Sequence, residues 1–423
     1  MEKLHGLIGI GVILGIAFLF SNNRSRINYR LVVSGIALQV VLAILILQVE
    51  PVKKIFQWLG HQMTHIEEFA KQGASFVYGG IMINDFAGGS QPYATPGAFV
   101  FGFSVLATII LVCVLVAILY HLQVMQFIVS IIAKAMNFVM RVSGAEALSN
   151  VASAFVGQVE AQVMIRPYLK GMTKSELLAS MSGSLACIAG GILVVYVSFG
   201  AKAEYLLAAS MMAAPGALVI SKIVFPETEK SETMGEVSLE VKSPYSNIID
   251  AVSHGAADGM KISLNVIAML IGFIGLIACI NFILSKIGMF FPMDAPLTLD
   301  WIFAKLFYPI AWSMGIPVQD LNNASTLLGQ KLVVNEFVAF SHLTADPKTV
   351  AEALPMVTDK GLLIVSFAIC GFANFSSVGM QIGGIGALEP DRRADLAKLG
   401  FKALLCGTLA SYLSATIAGI IYG

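Results

Sequence analysis

Two short stretches place amides and carboxylates in surroundings that are otherwise apolar. The first is Ser153-Ala-Phe-Val-Gly-Gln-Val-Glu-Ala-Gln162, with Gln158, Glu160 and Gln162 within five positions. The second is Lys331-Leu-Val-Val-Asn-Glu-Phe337, which contains Asn335 and Glu336. A carboxylate in such surroundings is costly and persists where it faces a cavity, a partner or a ligand. An ionised glutamate is a strong acceptor for hydroxyl donors, and an amide can match a mixture of donors and acceptors. Amides and carboxylates grouped in this way suit a directional polar ligand.

The elements that must hold these groups are membrane helices. The 423 residues are 57% hydrophobic and 12% charged, with mean hydropathy +0.82, whereas ordinary soluble domains carry about 25% charged residues. Apolar runs recur along the whole chain and read as spans. Leu4–Phe20 is the first, kept as a span because no small-residue cleavage site follows it. Leu31–Gln48 is the second and Phe99–Tyr120 the third. Leu177–Val197, Tyr205–Phe225, Ile262–Leu284, Leu362–Met380 and Phe401–Ile421 follow, about eight crossings in all. Pro51 to Ser90 carries charges at helical spacing, and Gln123–Met140 is interrupted by Lys134 and flanked by Arg141; both read as interfacial helices, Ile248–Met260 as a short amphipathic piece, and Trp301–Gly315 as a further short helix. His61 and His65 sit four apart in the first of these. With no carboxylate or cysteine to complete a metal site, they read as part of a polar interfacial face. Pro226 to Pro244 is acidic and reads as a solvated linker.

The two polar stretches are too short to cross and return as full helices, so they read as re-entrant hairpins, the second over Ser325–Phe340. Glu146, beside Gly144 at the start of the first, reads as a solvated cap. Each hairpin is followed by a span with a soft centre: Cys187-Ile-Ala-Gly-Gly191 in one case and Gly371-Phe-Ala-Asn-Phe-Ser-Ser377 in the other. Three crossings separate the hairpins, an odd number, so the two units enter from opposite sides. Inverted repeats with broken helices characterise secondary transporters, and the exposed backbone of a broken helix binds ions and polar solutes. Basic residues set the orientation. Arg24, Arg26 and Arg30, then Lys134 to Lys174, Lys222, Lys230 and Arg392 to Lys402 fall on the cytoplasmic side. The Ala201–Glu204 loop and Pro292–Pro296 fall outside, and both termini are expected there too.

Several classes are excluded or demoted. Zero net charge indicates no nucleic-acid or acidic partner. No Walker A sequence is present, and no nucleophile set stands at a motif spacing, so the chain is not read as an enzyme. Five cysteines scattered through apolar runs form neither a disulfide framework nor a metal spacing. The readings left open at this point are a secondary carrier of a small polar solute and a cation channel.

The sequence resembles the concentrative nucleoside transporter family over nearly its whole length. The resemblance is carried by Gly157-Gln-Val-Glu160, Arg166-Pro-Tyr168, Ile188-Ala-Gly190, Asn335-Glu-Phe-Val-Ala339 and Gly371-Phe-Ala-Asn-Phe-Ser-Ser377. It implies an all-α polytopic protein with eight spans, interfacial helices and two inverted re-entrant hairpins. It also implies a homotrimer in the lipid bilayer of the cytoplasmic membrane and an elevator-like motion. Cation-coupled nucleoside uptake is the implied activity, with Na+ or H+ as coupling ion and no cofactor. By resemblance, Gln158, Val159 and Glu160 lie at the base, Glu336, Asn374 and Ser377 at the ribose, and Ile192 and Phe372 pack around the nucleoside. The cation position corresponds to Ser153, Val156, Cys187 and Ile188. Two departures stand out: Val159 replaces a usual Thr or Ser, and Ser153 and Cys187 replace an Asn and a Ser of the family's sodium site. Residues 1–140 are expected to be mainly scaffold, 141–225 the first hairpin and following spans of the transport domain, 226–300 linker, interfacial helix and scaffold span, and 301–423 the second hairpin, broken span and last span.

Overall fold

The structure, a computed structural model, describes residues 2–78, 101–234, 245–290, 296–348, 350 and 352–422. Residues 79–90 of the expected interfacial segment, the first residues of the expected third span, residues 235–244 of the linker and most of the Pro292–Pro296 loop lie outside the described residues. In chain order the helices are α1 (Glu2–Leu19), α2 (Tyr29–Gln48), α3 (Glu50–Tyr78), α4 (Phe101–His121), α5 (Val124–Met140) and α6 (Gly144–Ser153). Next come α7 (Glu160–Met164), α8 (Lys174–Ala186), α9 (Gly190–Ser198), α10 (Ala203–Val224), α11 (Ile248–Gly288) and α12 (Leu299–Leu306). The last are α13 (Tyr308–Ser313), α14 (Leu321–Val333), α15 (Glu336–Thr344), α16 (Asp359–Ile369), α17 (Phe375–Leu388) and α18 (Arg393–Tyr422).

Five of these units are long and apolar enough to cross a membrane on their own: α2, the α8–α9 pair, α10, α11 and α18. With α1, α4 and the broken α16–α17 pair they make the eight crossings. α4 and α5 meet at a 75° bend, which turns α5 aside as the interfacial helix its charges imply. α3 is amphipathic: Gly60, Ala70 and Ala74 are buried, while Lys71 pairs with Glu67 at 2.6 Å and His65 with Glu68 at 3.1 Å on the open face. Glu68 is the carboxylate that sequence spacing did not connect to His65. Among the described residues no group of three His, Cys, Asp or Glu could hold a metal.

The spans differ sharply in burial. The apolar windows of α8–α9 and α10 are 89% buried and that of α18 is 83% buried, against 6% for α11. α8, α10 and α18 therefore form the hub, and small residues let them approach closely. Gly407 of α18 shows how closely, since a Cβ there would stand 2.8 Å from Leu185 of α8. Gln39 of α2 is fully buried and donates to the Met212 carbonyl and the Ser414 hydroxyl, both at 2.9 Å, tying α2 to α10 and α18.

Both hairpins are present. α6 and α7 form the first, and α14 and α15 the second. Residues 248–288 make one unbroken helix of 41 residues, which corrects the reading of Ile248–Met260 as a separate piece. The second hairpin starts at Leu321 and not at Ser325. Asp320 directly precedes it and fixes the start, accepting from the Val357 and Thr358 backbone N–H groups and the Thr358 hydroxyl. All five cysteines are free.

Candidate functional site

Four helices begin at one place. α7 starts at Glu160, α9 at Gly190, α15 at Glu336 and α17 at Phe375. The first turn of each lines a single cavity of about 460 Å³, a volume within the range of small-molecule sites. The first N–H groups of a helix lack intrahelical acceptors, and the aligned peptide dipoles make that end electropositive. Glu160 and Glu336 each occupy the first helical position. Two acids are thus tolerated at this depth because each sits on the positive end of a helix.

Capping side chains fix where these helices start. Asn335 Oδ1 accepts from the Val338 N–H at 3.0 Å. Asn374 Oδ1 accepts from the Ser377 N–H and the Ser376 hydroxyl, both at 2.9 Å. The remaining half of the Asn374 amide, Nδ2, donates to Glu336 Oε2 at 2.7 Å, so one side chain caps α17 and clamps the hairpin-2 carboxylate to the broken span. Ser377 Oγ, almost fully buried beside them, has no hydrogen-bond partner in the protein. Lys331 makes no ion pair with Glu336 within 4 Å, which removes the simple structural pairing as an explanation for the glutamate.

On the hairpin-1 side, Gly157 has φ +121°, and a Cβ there would stand 2.6 Å from Glu160 Oε2. Glycine is therefore required for both the backbone conformation and the space the carboxylate fills. Gln158 Oε1 accepts from Gln381 Nε2 at 3.5 Å, while its Nε2 rests 3.9 Å from Met380 Sδ. Val159 presses its methyl groups against Gly384 of α17. Ile192 and Phe372 supply apolar surface. All eight residues expected around the solute line this one cavity: Gln158, Val159, Glu160, Ile192, Glu336, Phe372, Asn374 and Ser377. Gln162 does not, because it turns back into the hairpin.

The opposite wall escaped the sequence reading. It comes from α4, with Val112 and Cys113, and from α11, with Asp258 and Asn265. The sequence reading set Asp258 in a short amphipathic piece beside Asp250, His254 and Lys261, where a carboxylate needs no special reason.

The residues expected at the cation divide. Val156 lines the cavity, whereas Ser153, Cys187 and Ile188 are buried behind it. Neither the Val156 nor the Ile188 carbonyl accepts a backbone hydrogen bond from a described residue outside regular helix, so both oxygens are available. The side chains are not. Ser153 Oγ donates to the Ser149 carbonyl at 2.8 Å and meets Ser184 Oγ at 2.8 Å. It belongs to a closed cluster in which Gln162 bridges Ser149, Ser180 and Ser184 at 3.2, 2.7 and 2.9 Å. Cys187 presents a thiol 4.0 Å from the Asn150 carbonyl and 3.8 Å from that of Ser210. The serine pairs at i and i+4 on α6 and α8 were a signal the sequence reading did not use.

The two helix breaks touch. The Phe372 N–H donates to the Cys187 carbonyl at 3.3 Å, and a Cβ on Gly371 would lie 2.3 Å from the Ala186 carbonyl oxygen. At the base of hairpin 1, Glu146 completes a capping box with Ser143. It is not solvated, which corrects the sequence reading. Its carboxylate is 2% exposed and meets Lys222 Nζ at 2.7 Å. Residues Phe225 to Met234 fold back over this pair: Glu227 also reaches Lys222, and Ser231 and Thr233 donate to Glu176.

Comparison with known proteins matches this arrangement. Family models described as Na+ dependent nucleoside transporter N-terminus and C-terminus match residues 8–81 and 205–419, and one described as nucleoside recognition matches 102–203. The chain is 38% identical to a nucleoside permease, NupC, of Helicobacter pylori, covering 100% of this chain and 98% of that one. It is 36% identical to the human sodium/nucleoside cotransporter 1, covering 100% of this chain and 64% of that protein. A solved structure of CNTnw in an inward-facing substrate-bound state superimposes with a TM-score of 0.89 at 38% identity over 100% of both chains.

Proposed function

The chain belongs to the Na+ dependent, concentrative nucleoside transporter family, and from that premise we propose how its cavity holds a nucleoside and which ion drives it. The protein performs cation-coupled nucleoside uptake, and its family is one of transporters, not of enzymes. The ribose lies against Glu336, Asn374 and Ser377, and the base against Gln158, Val159 and Glu160, with Phe372 and Ile192 packing on its apolar faces. One observation carries the ribose assignment: the unpartnered Ser377 hydroxyl beside a carboxylate whose other contact is already made by Asn374. Buried polar atoms are usually paired, and a pair of sugar hydroxyls supplies partners for both groups where they face the cavity. Val159 offers the base no hydrogen bond.

Uptake of labelled uridine into vesicles tests the reading, with accumulation against its gradient expected, since a channel would only equilibrate it. Glu336→Gln keeps the shape but replaces a charged acceptor with a neutral one. Charge-assisted hydrogen bonds contribute roughly 1.5–3 kcal/mol and neutral ones about 1, so uridine binding should weaken about tenfold. Analogues lacking a ribose hydroxyl should lose less. Equal weakening of both ligand types would make the carboxylate structural.

The coupling ion is a proton in this reading. Two carbonyls of the expected sodium position are free, but the Ser153 hydroxyl is committed to Ser149 and Ser184, and a soft thiol at Cys187 is a poor ligand for a hard cation. Uptake should follow an imposed proton gradient and ignore sodium. Ser153→Asn with Cys187→Ser adds oxygen ligands beside Val156 and is expected to introduce sodium dependence. Indifference of that double variant to sodium would show that the ion sits elsewhere.

The elements around the two hairpins, with α8–α10 and α16–α18, form the moving body, and α1–α5 with α11 form the scaffold. Only 6% of the apolar window of α11 is buried within one chain, which supports packing of its open face against other copies in a homotrimer in the cytoplasmic membrane, with both termini on the outer face. An active, monodisperse monomer in detergent would contradict the trimer.

A further inference from the structure

Lys331 stands in the last turn of α14, five positions before Glu336 opens α15. It is 0% exposed, and its Nζ makes no hydrogen bond. A lysine near a membrane surface can extend its ammonium to the headgroups. This one cannot, because the side chain is enclosed on all sides. A buried ammonium without a close partner is costly, and in a membrane protein it marks a functional position with a nearby counter-charge. Glu336, at the start of the helix that follows, is the acid whose charge reaches it, with the Cys370 thiol just past α16 also nearby.

The geometry of the hairpin tip is complementary to both charges. The C-terminal end of α14 is electronegative and favours Lys331, and the N-terminal end of α15 is electropositive and favours Glu336. Around them the site is shielded from water. Tyr196 of α9 stacks on Phe340 at 4.5 Å and meets Phe337 edge-on at 5.1 Å, with its hydroxyl beside the Glu336 carboxylate. Asn374 closes the cavity side. Glu336 borders the cavity while Lys331, 0% exposed, does not, so the ammonium lies on the far side of the cavity wall.

We propose that Lys331 is a positioning residue for transport: a resident counter-charge, set behind Glu336 and carried with it, that holds this carboxylate as a charged acceptor for the ribose without making a direct ion pair. A direct pair would occupy the carboxylate oxygens, whereas an ammonium beyond contact distance compensates the charge and leaves those oxygens to the ligand. Coulomb attraction persists over such separations because the interior screens weakly. This inference rests on the reading of Glu336 as the ribose acceptor.

The test is a double-mutant cycle on purified protein, with uridine and a uridine analogue lacking a ribose hydroxyl as ligands. Lys331→Met is expected to weaken uridine about tenfold, with less effect on the analogue. In a Glu336→Gln background the same substitution should cost less than about twofold, because the charge it serves is already gone. Lys331→Arg should keep most of the affinity. A structural lysine would behave differently: Lys331→Met would cost the same in both backgrounds and for both ligands, and that result would overturn the proposal. Where Lys331→Met alone folds poorly, Lys331→Met with Glu336→Gln should fold better than the single variant, and failure to recover would count equally against it. If Glu336→Gln itself shows no preference between the two ligands, the ribose reading has failed and not the placement of Lys331.

Discussion

Lys222→Met is expected to destabilise the folded protein by about 3–5 kcal/mol, the cost of leaving a buried carboxylate without its partner. Lys222 is 5% exposed, and its ammonium meets Glu146 at 2.7 Å, Ser175 Oγ at 3.0 Å and Glu227 at 3.4 Å. The pair joins the end of α10 to the start of hairpin 1, and the backbone of Thr233 receives the Gly144 N–H at 2.8 Å just above it. Removing the ammonium leaves Glu146 enclosed with only the Ser143 N–H of its capping box to offset its charge. The predicted outcome is loss of folded protein in a thermal or denaturant series, with no selective loss of one ligand. Adding Glu146→Gln should recover most of the stability, because it removes the stranded charge and keeps the capping box. A Lys222→Met protein as stable as the parent would show that the pair contributes nothing.

Gly371→Val should be nearly as damaging, for a different reason. A Cβ at Gly371 would lie 2.3 Å from the Ala186 carbonyl oxygen and 2.7 Å from its carbon. These are backbone atoms at the break of a neighbouring span, so no side chain can move aside. Overpacking typically costs about 1–3 kcal/mol, and more where nothing can relax. The upper end of that range is expected here, with loss of uridine transport as the two breaks separate. Gly379 and Gly383, on the following helix, have nothing within 4 Å of an added Cβ. Alanine at either should leave transport near the parent level. Similar losses at all three positions would mean that glycine is needed there for backbone freedom and not for the contact.

Much of this site was legible because polar residues in apolar segments are rare and each needs a reason. Glu160 and Glu336 marked both hairpins, and Asn374 with Gly371 marked the second break. What stayed hidden depends on chain segments distant in sequence. Glu146 has the spacing of an ordinary surface cap, Ser143-x-x-Glu146, and only the return of Phe225 to Met234 over it makes it internal. The serine cluster was missed because single serines in membrane helices usually bond their own backbone, as Ser153 also does. Its function as a cluster appears only when α6, α7 and α8 come together. The division of α11 into two pieces came from a change of composition near Lys261 that no proline or cap accompanies. The change marks a change of surroundings and not an end of the helix.

That change of surroundings fixes where the cavity meets water. A helix of 41 residues is about 62 Å long, and even at a 40° tilt it rises about 47 Å, against a hydrocarbon thickness of about 30 Å. A good part of α11 must therefore project beyond the lipid tails. The projecting part is its beginning, where Asp250, His254, Asp258 and Lys261 are gathered, while Lys286 alone stands near the other end. Gly255 and Asp258 belong to that projecting beginning and Tyr245 stands just before it, and all three border the cavity. The cavity thus extends to the end of α11 that leaves the lipid tails, on the side of the linker.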